Sequence, residues 1–350
     1  MFPEKMIYPV FLPHAGCPFQ CVYCNQRVTV SCAERGSALA EFVRSRLADY
    51  AGQVQISGIP GEIAFYGGTF TALPPGLVDE ILCAASVFVD RGVFTGVRFS
   101  TRPDCLDITV VDMLSRYPVR TVELGAQSLS DLVLQKSGRG YLAEAVVSAA
   151  KRIKRKGWRL GVQLMAGLPG DDPAKFMESM RRAIALGADF LRIYPTLVLE
   201  GTELARAYRQ GLYVPLSLDE AVELISPAYD LALRAGVPII RMGLQADPAL
   251  EKPGVILAGP YHPAFGSLVK SRWWQERIDR HLSSLGEISG EEMIIRVAPN
   301  RVSDVIGHRK SNLLHWKSKW SVSAKVVGDA DLTGIEILWK TKSSNRDISL

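Results

Sequence analysis

The chain reads as an α/β protein, a run of parallel strands alternating with helices, followed by a small α+β unit. Three observations carry this. Apolar stretches of strand length alternate six times with helical stretches of about 10–15 residues, the pattern of β/α units on a parallel sheet. Glycine-rich or polar clusters fall where the strands end: Gly67-Gly68-Thr69, Ser100 to Asp104, Gln127, and Gly167 to Gly170. The last part of the chain changes to strand, helix, turn, helix, strand. Six units punctuated in this way fit a partial (β/α)6 barrel with its chemistry at the C-terminal strand ends. A doubly wound sheet alternates in the same way, and the pattern alone leaves both open.

In chain order, the apolar run Met6 to Leu12 precedes a cysteine-bearing loop. Leu39, Phe42, Val43 and Leu47 give Ser37 to Tyr50 a helical period. Gly61 to Gly68 is a strand running into a glycine pair, Leu77 to Val89 a helix, and Val93 to Ser100 a strand ending at Thr101-Arg-Pro-Asp. Helix Asp107 to Tyr117, strand Thr121 to Ser128 and helix Leu142 to Lys156 follow. Then come strand Leu160 to Gly170, helix Pro173 to Leu186, strand Phe190 to Pro195, helix Asp219 to Arg234 and strand Val237 to Gln245. Gly259 to Gly266 is rich in turn formers, and a helix with Trp273 and Trp274 runs to Ser289. The expected domains are 1–265 for the barrel, 266–290 for a connecting helix and 291–350 for the small unit. That unit has strand Met293 to Pro299, helix Arg301 to Ile306, a break at Gly307-His-Arg-Lys, helix Ser311 to Trp320 and strand Ser321 to Val327.

At 350 residues the chain accommodates one large domain and one small one. It has no uncharged apolar run of about 18 residues, so no membrane span or membrane partner is expected. It shows no basic segment leading into an apolar stretch and cleavage site, so no signal peptide is expected. Six cysteines, three of them clustered, argue for a reducing compartment, the cytoplasm. Net charge is +5, and residues 266–350 carry 14 Lys+Arg against 10 Asp+Glu, nearly all of the excess. The asymmetry hints at nucleic acid, with a solvated basic surface as the plainer alternative. The basic run Lys151 to Lys156 reads as the solvated face of a helix.

Cys17, Cys21 and Cys24 stand in a C-x3-C-x2-C spacing on the first loop. Three thiols so close together read as metal ligands rather than disulfide partners. Iron–sulfur sites use cysteine thiolates in this way, while zinc would need a fourth ligand, which His14 could supply. Cys32, Cys83 and Cys105 have no ligand spacing and read as buried small hydrophobes.

The cysteine spacing resembles the signature of radical S-adenosylmethionine (SAM) enzymes, in which three cysteines hold three irons of a [4Fe-4S] cluster and the fourth iron chelates SAM. Over about residues 7–270 the chain resembles the catalytic subunit of Elongator and its bacterial relatives. The matching segments are Phe65-Tyr-Gly-Gly-Thr-Phe, Thr101-Arg-Pro-Asp, Val122-Glu-Leu-Gly-Ala-Gln-Ser, Ser137-Gly-Arg-Gly-Tyr, Met165-Ala-Gly-Leu-Pro-Gly and Tyr194-Pro-Thr-Leu-Val-Leu-Glu-Gly-Thr-Glu-Leu. The resemblance implies a radical SAM barrel with Cys17, Cys21 and Cys24 on the cluster. Around SAM it implies Tyr23 and Met165 near adenine, Gly67, Gly68 and Thr69 at the amino group, Gln127 facing the cofactor, and Arg139 near the carboxylate. Ser100 stands where those relatives have a SAM-binding glutamate, a role that could move to Arg102 or Asp104, for which a local ion pair is the plainer reading. Tyr141 replaces the usual histidine.

The implied chemistry is reductive cleavage of SAM to a 5′-deoxyadenosyl radical that abstracts a substrate hydrogen, with electrons from a donor such as flavodoxin or ferredoxin. Elongator relatives act on the wobble uridine of tRNA and carry an acetyltransferase domain of about 100–150 residues. Roughly 60 residues follow the barrel here, so acetyl transfer is not expected. The small unit resembles a K homology (KH) RNA-binding module, whose GXXG loop clamps a nucleic-acid backbone. Gly307, His308, Arg309 and Lys310 match that loop, with lysine in place of the second glycine, and Arg309 and Lys310 offer phosphate contacts. RNA, tRNA or rRNA, is the expected substrate, and DNA is not expected. A small-molecule substrate is the alternative, and a non-enzymatic iron–sulfur RNA-binding protein a distant third. Trp316, Trp320 and Trp339 could stack on bases, although a small core explains them more simply.

Overall fold

Alternating strands and helices assemble here in strict sequence order. The computed structural model describes residues 6–12, 17, 20–25, 37–244, 248–285, 292–340 and 345–349. Strands β1 (Met6–Phe11), β2 (Gly61–Tyr66), β3 (Gly96–Thr101), β4 (Val119–Gln127), β5 (Arg159–Ala166) and β6 (Phe190–Pro195) pair in parallel, each with the next. Strand β7 (Val198–Leu199) leaves this sheet, and β8 (Ile239–Met242) adds to β6 as the seventh strand. β7 pairs instead with β9 (Ile256–Ala258), antiparallel. Helices Ser37–Ser57, Pro75–Asp90, Ile108–Leu114, Ala143–Arg155 and Pro173–Ala185 lie in the crossovers.

The alternation along each strand separates two faces. On β2, Ile63 and Phe65 are buried apolar residues, while Glu62 and Tyr66 belong to the opposite face; β4 places Thr121 and Glu123 likewise, and β6 places Arg192 and Tyr194. That opposite face carries a linked polar network. Glu123 Oε1 lies 2.6 Å from Arg98 Nε, and Arg98 Nη1 lies 3.4 Å from Glu62 Oε2. Thr121 donates to Glu62 over 2.9 Å. Tyr66 donates to Glu123 over 2.8 Å, and Arg192 meets both Glu123 Oε2 at 2.8 Å and the Tyr66 hydroxyl at 2.9 Å.

This network decides between the two architectures. β2 and β6 are four strands apart, about 19 Å in a flat sheet at the usual spacing of about 4.8 Å. Side chains from these two strands instead touch, so the sheet is curled, with the network inside the curl. The structure is a parallel half-barrel rather than an open doubly wound sheet. Gly161 on β5 fits the same arrangement, because a Cβ there would lie 2.4 Å from the ring of Phe190. That ring enters the curl and lies under the Arg98 guanidinium, 4.6 Å away.

Packing divides the chain into two compact units, Met1–Ser217 with Ala232–Tyr261, and Leu218–Leu231 with His262–Leu350. Most of helix Leu218–Arg234 thus goes with the second unit. That unit has a four-stranded sheet, with β10 (Glu292–Val297) flanked by β11 (Ser323–Gly328) in parallel and β12 (Ile335–Lys340) antiparallel; β13 (Asn345–Ser349) pairs with β12. Helices Val302–Ile306 and Ser311–Trp320 connect β10 to β11. Trp316 and Trp339 are core residues packed with Trp273, Trp274, Ile295 and Ile337, and Trp320 Nε1 donates to Asp279.

Several elements differ from the sequence expectation. The first helix continues to Ser57, past Gly52, and ends at Gly58, whose φ of +66° a helix cannot accommodate. β3 begins at Gly96 rather than Val93, and β8 spans only Ile239–Met242, with Gln245 outside the described residues. Helices Asp131–Lys136 and Glu203–Arg209 and strands β7, β9, β12 and β13 were not expected. Helix Phe265–Ser284 ends before Ser289, which lies outside the described residues. Cys83 is exposed rather than buried, since Val78, Ile81, Leu82 and Ala85 turn the other face of its helix inward; Cys105 is half-buried, and Cys32 lies outside the described residues. Among the described residues no helix is long and apolar enough to cross a membrane.

Removing Glu123 leaves the buried Arg98 without its closest carboxylate and Arg192 without its only carboxylate partner among the described ion pairs. Breaking a buried pair in this way costs about 3–5 kcal/mol. Glu123→Ala is therefore expected to lower the free energy of unfolding by about 3–5 kcal/mol and the denaturation midpoint with it. A midpoint unchanged in guanidinium chloride would show the network to be dispensable.

Candidate active site at the mouth of the barrel

The cysteine loop leaves β1, and hydrogen bonds to two neighbouring segments fix its described part. Val22 N–H donates to Ser137 over 3.2 Å, Leu204 N–H donates to Val22 over 2.8 Å, and the Asn25 amide donates to Glu200 over 2.5 Å. Cys24 N–H closes a turn onto the Cys21 carbonyl at 3.0 Å. His14 lies outside the described residues.

Each of the first two cysteines meets a motif from a different strand end. Cys17 Sγ lies 3.2 Å from Thr69 Oγ1, in the glycine turn after β2. That turn needs its first glycine: Gly67 has φ +107°, and a Cβ there would lie 2.1 Å from the Leu12 carbonyl. Gly68, Thr69 and Ser100 line one small cavity with Phe65, Tyr66 and Phe70. Cys21 Sγ is buried and accepts from Arg139 Nη1 at 3.1 Å, with Arg102 Nη1 4.0 Å away. Burial, with the Cys21 and Cys17 sulfurs near it, pushes the Cys24 thiol up to about 12.

Arg102 pairs with Asp104 through two bonds of 3.0 and 2.8 Å, the ion pair read as plausible from the sequence, and also donates to the Arg139 carbonyl. Arg139 donates to the hydroxyls of Tyr141 and Tyr23 and to the Gly125 carbonyl. Tyr141 is thus an orienting partner for Arg139. Gln127 ends β4 in the left-handed region, φ +66°, at a register irregularity, and its side-chain oxygen accepts from Gln163 at 3.2 Å. Left-handed backbone is uncommon for glutamine. Met165 follows Gln163 by two residues on β5 and shares that face, in register with Tyr194.

The structure therefore brings together Cys17, Cys21, Cys24, Tyr23, Thr69, Arg102 and Arg139, with Gly67, Gly68 and Ser100 on one side and Gln127 and Met165 at neighbouring strand ends. Gly307, His308, Arg309 and Lys310 belong to the second unit. On the loop Gly259 to Gly266, Tyr261 donates to Glu251, and His262 accepts from Ala264 N–H at a helix start, a structural role. In the basic run, Lys154 pairs with Asp189 and Lys156 with Asp112 on the surface.

Among the described residues no three His, Cys, Asp or Glu side chains are gathered closely enough to hold a metal ion. The fit of a cluster is therefore judged on the donors. Three thiols share one loop, an N–H group of Arg139 donates to the Cys21 sulfur, and the Thr69 hydroxyl lies in hydrogen-bond contact with the Cys17 sulfur, polar surroundings of the kind that suit cluster-ligating thiolates. A neighbouring cation would also offset the burial and, after it, the repulsion from Cys21 and Cys17 that push the Cys24 thiol up. The donors fit the group.

Sequence reading missed Glu62, Arg98, Glu123 and Arg192, although charged residues at the centres of apolar parallel strands are a usable signal. It also missed Asp171 and Tyr213, which grip Gly167 from both sides. Asp171 Oδ2 accepts from Gly167 N–H at 3.1 Å, and Tyr213 donates to the Gly167 carbonyl over 2.6 Å. Asp171 Oδ1 is buried without a partner, and burial pushes the carboxyl up to about 6. The folded state then favours the protonated form. Its contribution is fully present below about pH 4 and is lost as pH rises through about 6. Asp171→Asn is expected to remove that part of the pH dependence of stability between pH 4 and 6. Parallel melting-temperature profiles for the two proteins would refute it.

The sequence matches the Radical SAM superfamily domain over residues 11–183 and the Radical_SAM C-terminal domain over residues 188–275. A tRNA uridine(34) acetyltransferase of Methanocaldococcus jannaschii is 34% identical over 132 residues, 37% of this chain and 24% of that protein. Elongator complex protein 3 of Dictyostelium discoideum is 32% identical over 187 residues, 47% of this chain and 33% of that protein. The solved structure of archaeal Elp3 from Methanocaldococcus infernus superposes with a TM-score of 0.54 at 24% identity, over 69% of this chain and 59% of that chain, a likeness of fold. The matches span at most 64% of the length of the first curated relatives. With the two domain matches covering about three quarters of its length and a parallel half-barrel beneath them, the chain belongs to the radical SAM superfamily of enzymes.

Proposed function

We propose that the chain is a radical SAM enzyme in which Cys17, Cys21 and Cys24 hold a [4Fe-4S] cluster, the adjoining strand ends hold SAM, and the substrate is RNA, tRNA or rRNA. The observation that carries the reading is the junction of three motifs: Cys17 against Thr69 of the glycine turn, and Cys21 against Arg139. When bound, cluster and SAM supply a one-electron cleavage that yields a 5′-deoxyadenosyl radical able to take a substrate hydrogen.

The chain's own residues bind, orient and exclude water. Gly68 places no side chain in the small cavity after β2, and Thr69 and Ser100 line the same cavity and bring hydroxyls. Tyr23, Arg102, Gln127 and Met165 complete the proposed cofactor surroundings. Beneath the glycine turn, the rings of Phe65, Phe70 and Phe99 stack at 5.2 and 4.9 Å, a dry floor. An electron donor such as flavodoxin or ferredoxin completes the cycle. Six cysteines, three of them clustered as ligands, favour a reducing compartment, the cytoplasm.

Support for RNA comes from the tRNA-modifying relative, from the basic last quarter of the chain, and from the Gly307–Lys310 loop. Lys310 has φ +64°, the backbone region that glycine adopts freely, so the lysine occupies the second glycine's place with a glycine-like conformation. Arg309 (φ +51°) precedes it. A small-molecule substrate is the second reading, favoured by the polar side chains Arg192, Tyr194 and Gln163 on the inner face of the barrel.

The test is anaerobic. Protein reconstituted with iron and sulfide is given dithionite and SAM, and 5′-deoxyadenosine is quantified with and without total cellular RNA. Release should be stimulated by RNA and abolished by Cys24→Ala, and Lys310→Gly, which keeps the backbone and removes the charge, should weaken the RNA effect. Release indifferent to RNA would transfer the reading to a small molecule. No release from a fully loaded cluster would sink SAM cleavage.

A further inference from the structure

We propose that Arg139, oriented by Tyr141, sets the reduction potential of the cluster by donating an N–H···S hydrogen bond to Cys21. The proposal rests on the reading of Cys21 as a cluster ligand.

The geometry of one guanidinium carries it. Arg139 is 5% exposed, and each of its nitrogens is engaged by protein. Nε donates to the Tyr141 hydroxyl at 3.0 Å; Nη2 donates to the same hydroxyl at 2.7 Å and to the Gly125 carbonyl at 2.5 Å. Nη1 donates to Cys21 Sγ at 3.1 Å and to the Tyr23 hydroxyl at 3.2 Å. Five contacts match the five N–H groups of an arginine. Arg139 therefore faces the cysteine rather than holding a free fork toward a ligand carboxylate.

Its charge has no carboxylate among these acceptors. Arg102, the other arginine near Cys21, differs on both counts: Asp104 neutralises it through two bonds, and it stands 4.0 Å from the sulfur. A buried cation without an anionic partner is costly, and a ligating thiolate on a negatively charged cluster is the counter-charge within reach. Hydrogen bonds to ligand sulfur and nearby positive charge stabilise the more negative, reduced cluster and raise its potential.

Tyr141 is the positioning residue. Its hydroxyl lies 2.9 Å from the Gly125 carbonyl while taking two hydrogen bonds from Arg139, and its ring lies 5.0 Å from the guanidinium carbon. This fixes the fork so that Nη1, and not Nη2, meets the sulfur.

The test is a redox titration of the full-length, anaerobically reconstituted protein without SAM, following the reduced cluster by electron paramagnetic resonance, with iron and sulfide content measured on every sample. Arg139→Gln is expected to shift the midpoint negative, with the reduced-to-oxidised ratio at fixed potential falling about tenfold, or ~59 mV for one electron. Tyr141→Phe, which keeps the charge and loses the orienting hydroxyl, should shift it in the same direction by less. Arg139→Gln with a full cluster and the wild-type midpoint overturns the proposal. If that variant does not load, Tyr141→Phe with an unmoved midpoint overturns it. A wild-type chain that takes up no cluster overturns the function proposed above, and this inference with it.

Discussion

Tyr66 and Arg192 reach each other from strands four positions apart, and Glu123 binds them both. The curl of the sheet and this contact require one another. A flat sheet would hold the two side chains far apart, and an apolar interior would give the curl nothing to close upon but packing. Glu62, Arg98 and Thr121 extend the same network deeper, so each buried charge there meets an opposite one. Buried ion pairs contribute little net stability once desolvation is counted. Their effect is specificity, because only one register of the strands places four charges in mutual contact.

With the curl fixed, the strand ends converge on one mouth. The cysteine loop after β1, the glycine turn after β2, Arg102 after β3 and the Arg139 turn after β4 are separate in sequence and meet within hydrogen-bond distance. The mouth thus differs in kind from the interior below it. Below, charges are neutralised by one another; at the mouth, the acceptors of Arg139 among the described residues are hydroxyls, a carbonyl and a sulfur. A buried guanidinium thus lies beside the cysteine loop with no carboxylate among its described acceptors.

The second unit is organised differently. Its sheet mixes one parallel and two antiparallel pairings, and its interior is aromatic rather than ionic, with Trp273, Trp274, Trp316 and Trp339 in one cluster. Asp279 ties helix Phe265–Ser284 to helix Ser311–Trp320 by accepting from His315, Lys319 and Trp320. The tryptophans are committed to this core, so any contact with a polyanion falls to the lysines and arginines outside it.

The sequence by itself determined the alternation of strands and helices, the places where strands end, and the residue types that gather there, because all three depend on local periodicity and on glycine and cysteine spacing. It also contained signals that went unread: the alternating Ile335, Ile337 and Trp339 mark β12, and single charges in apolar strands mark the interior network. Helices Asp131–Lys136 and Glu203–Arg209 were too short for periodicity to register. Only the tertiary structure decided between curled and flat sheets, since both have the same local pattern and differ in contacts between β2 and β6. Only it could turn Arg139 toward Cys21, 118 residues away, because a side chain's partner is set by which strand ends the fold brings together.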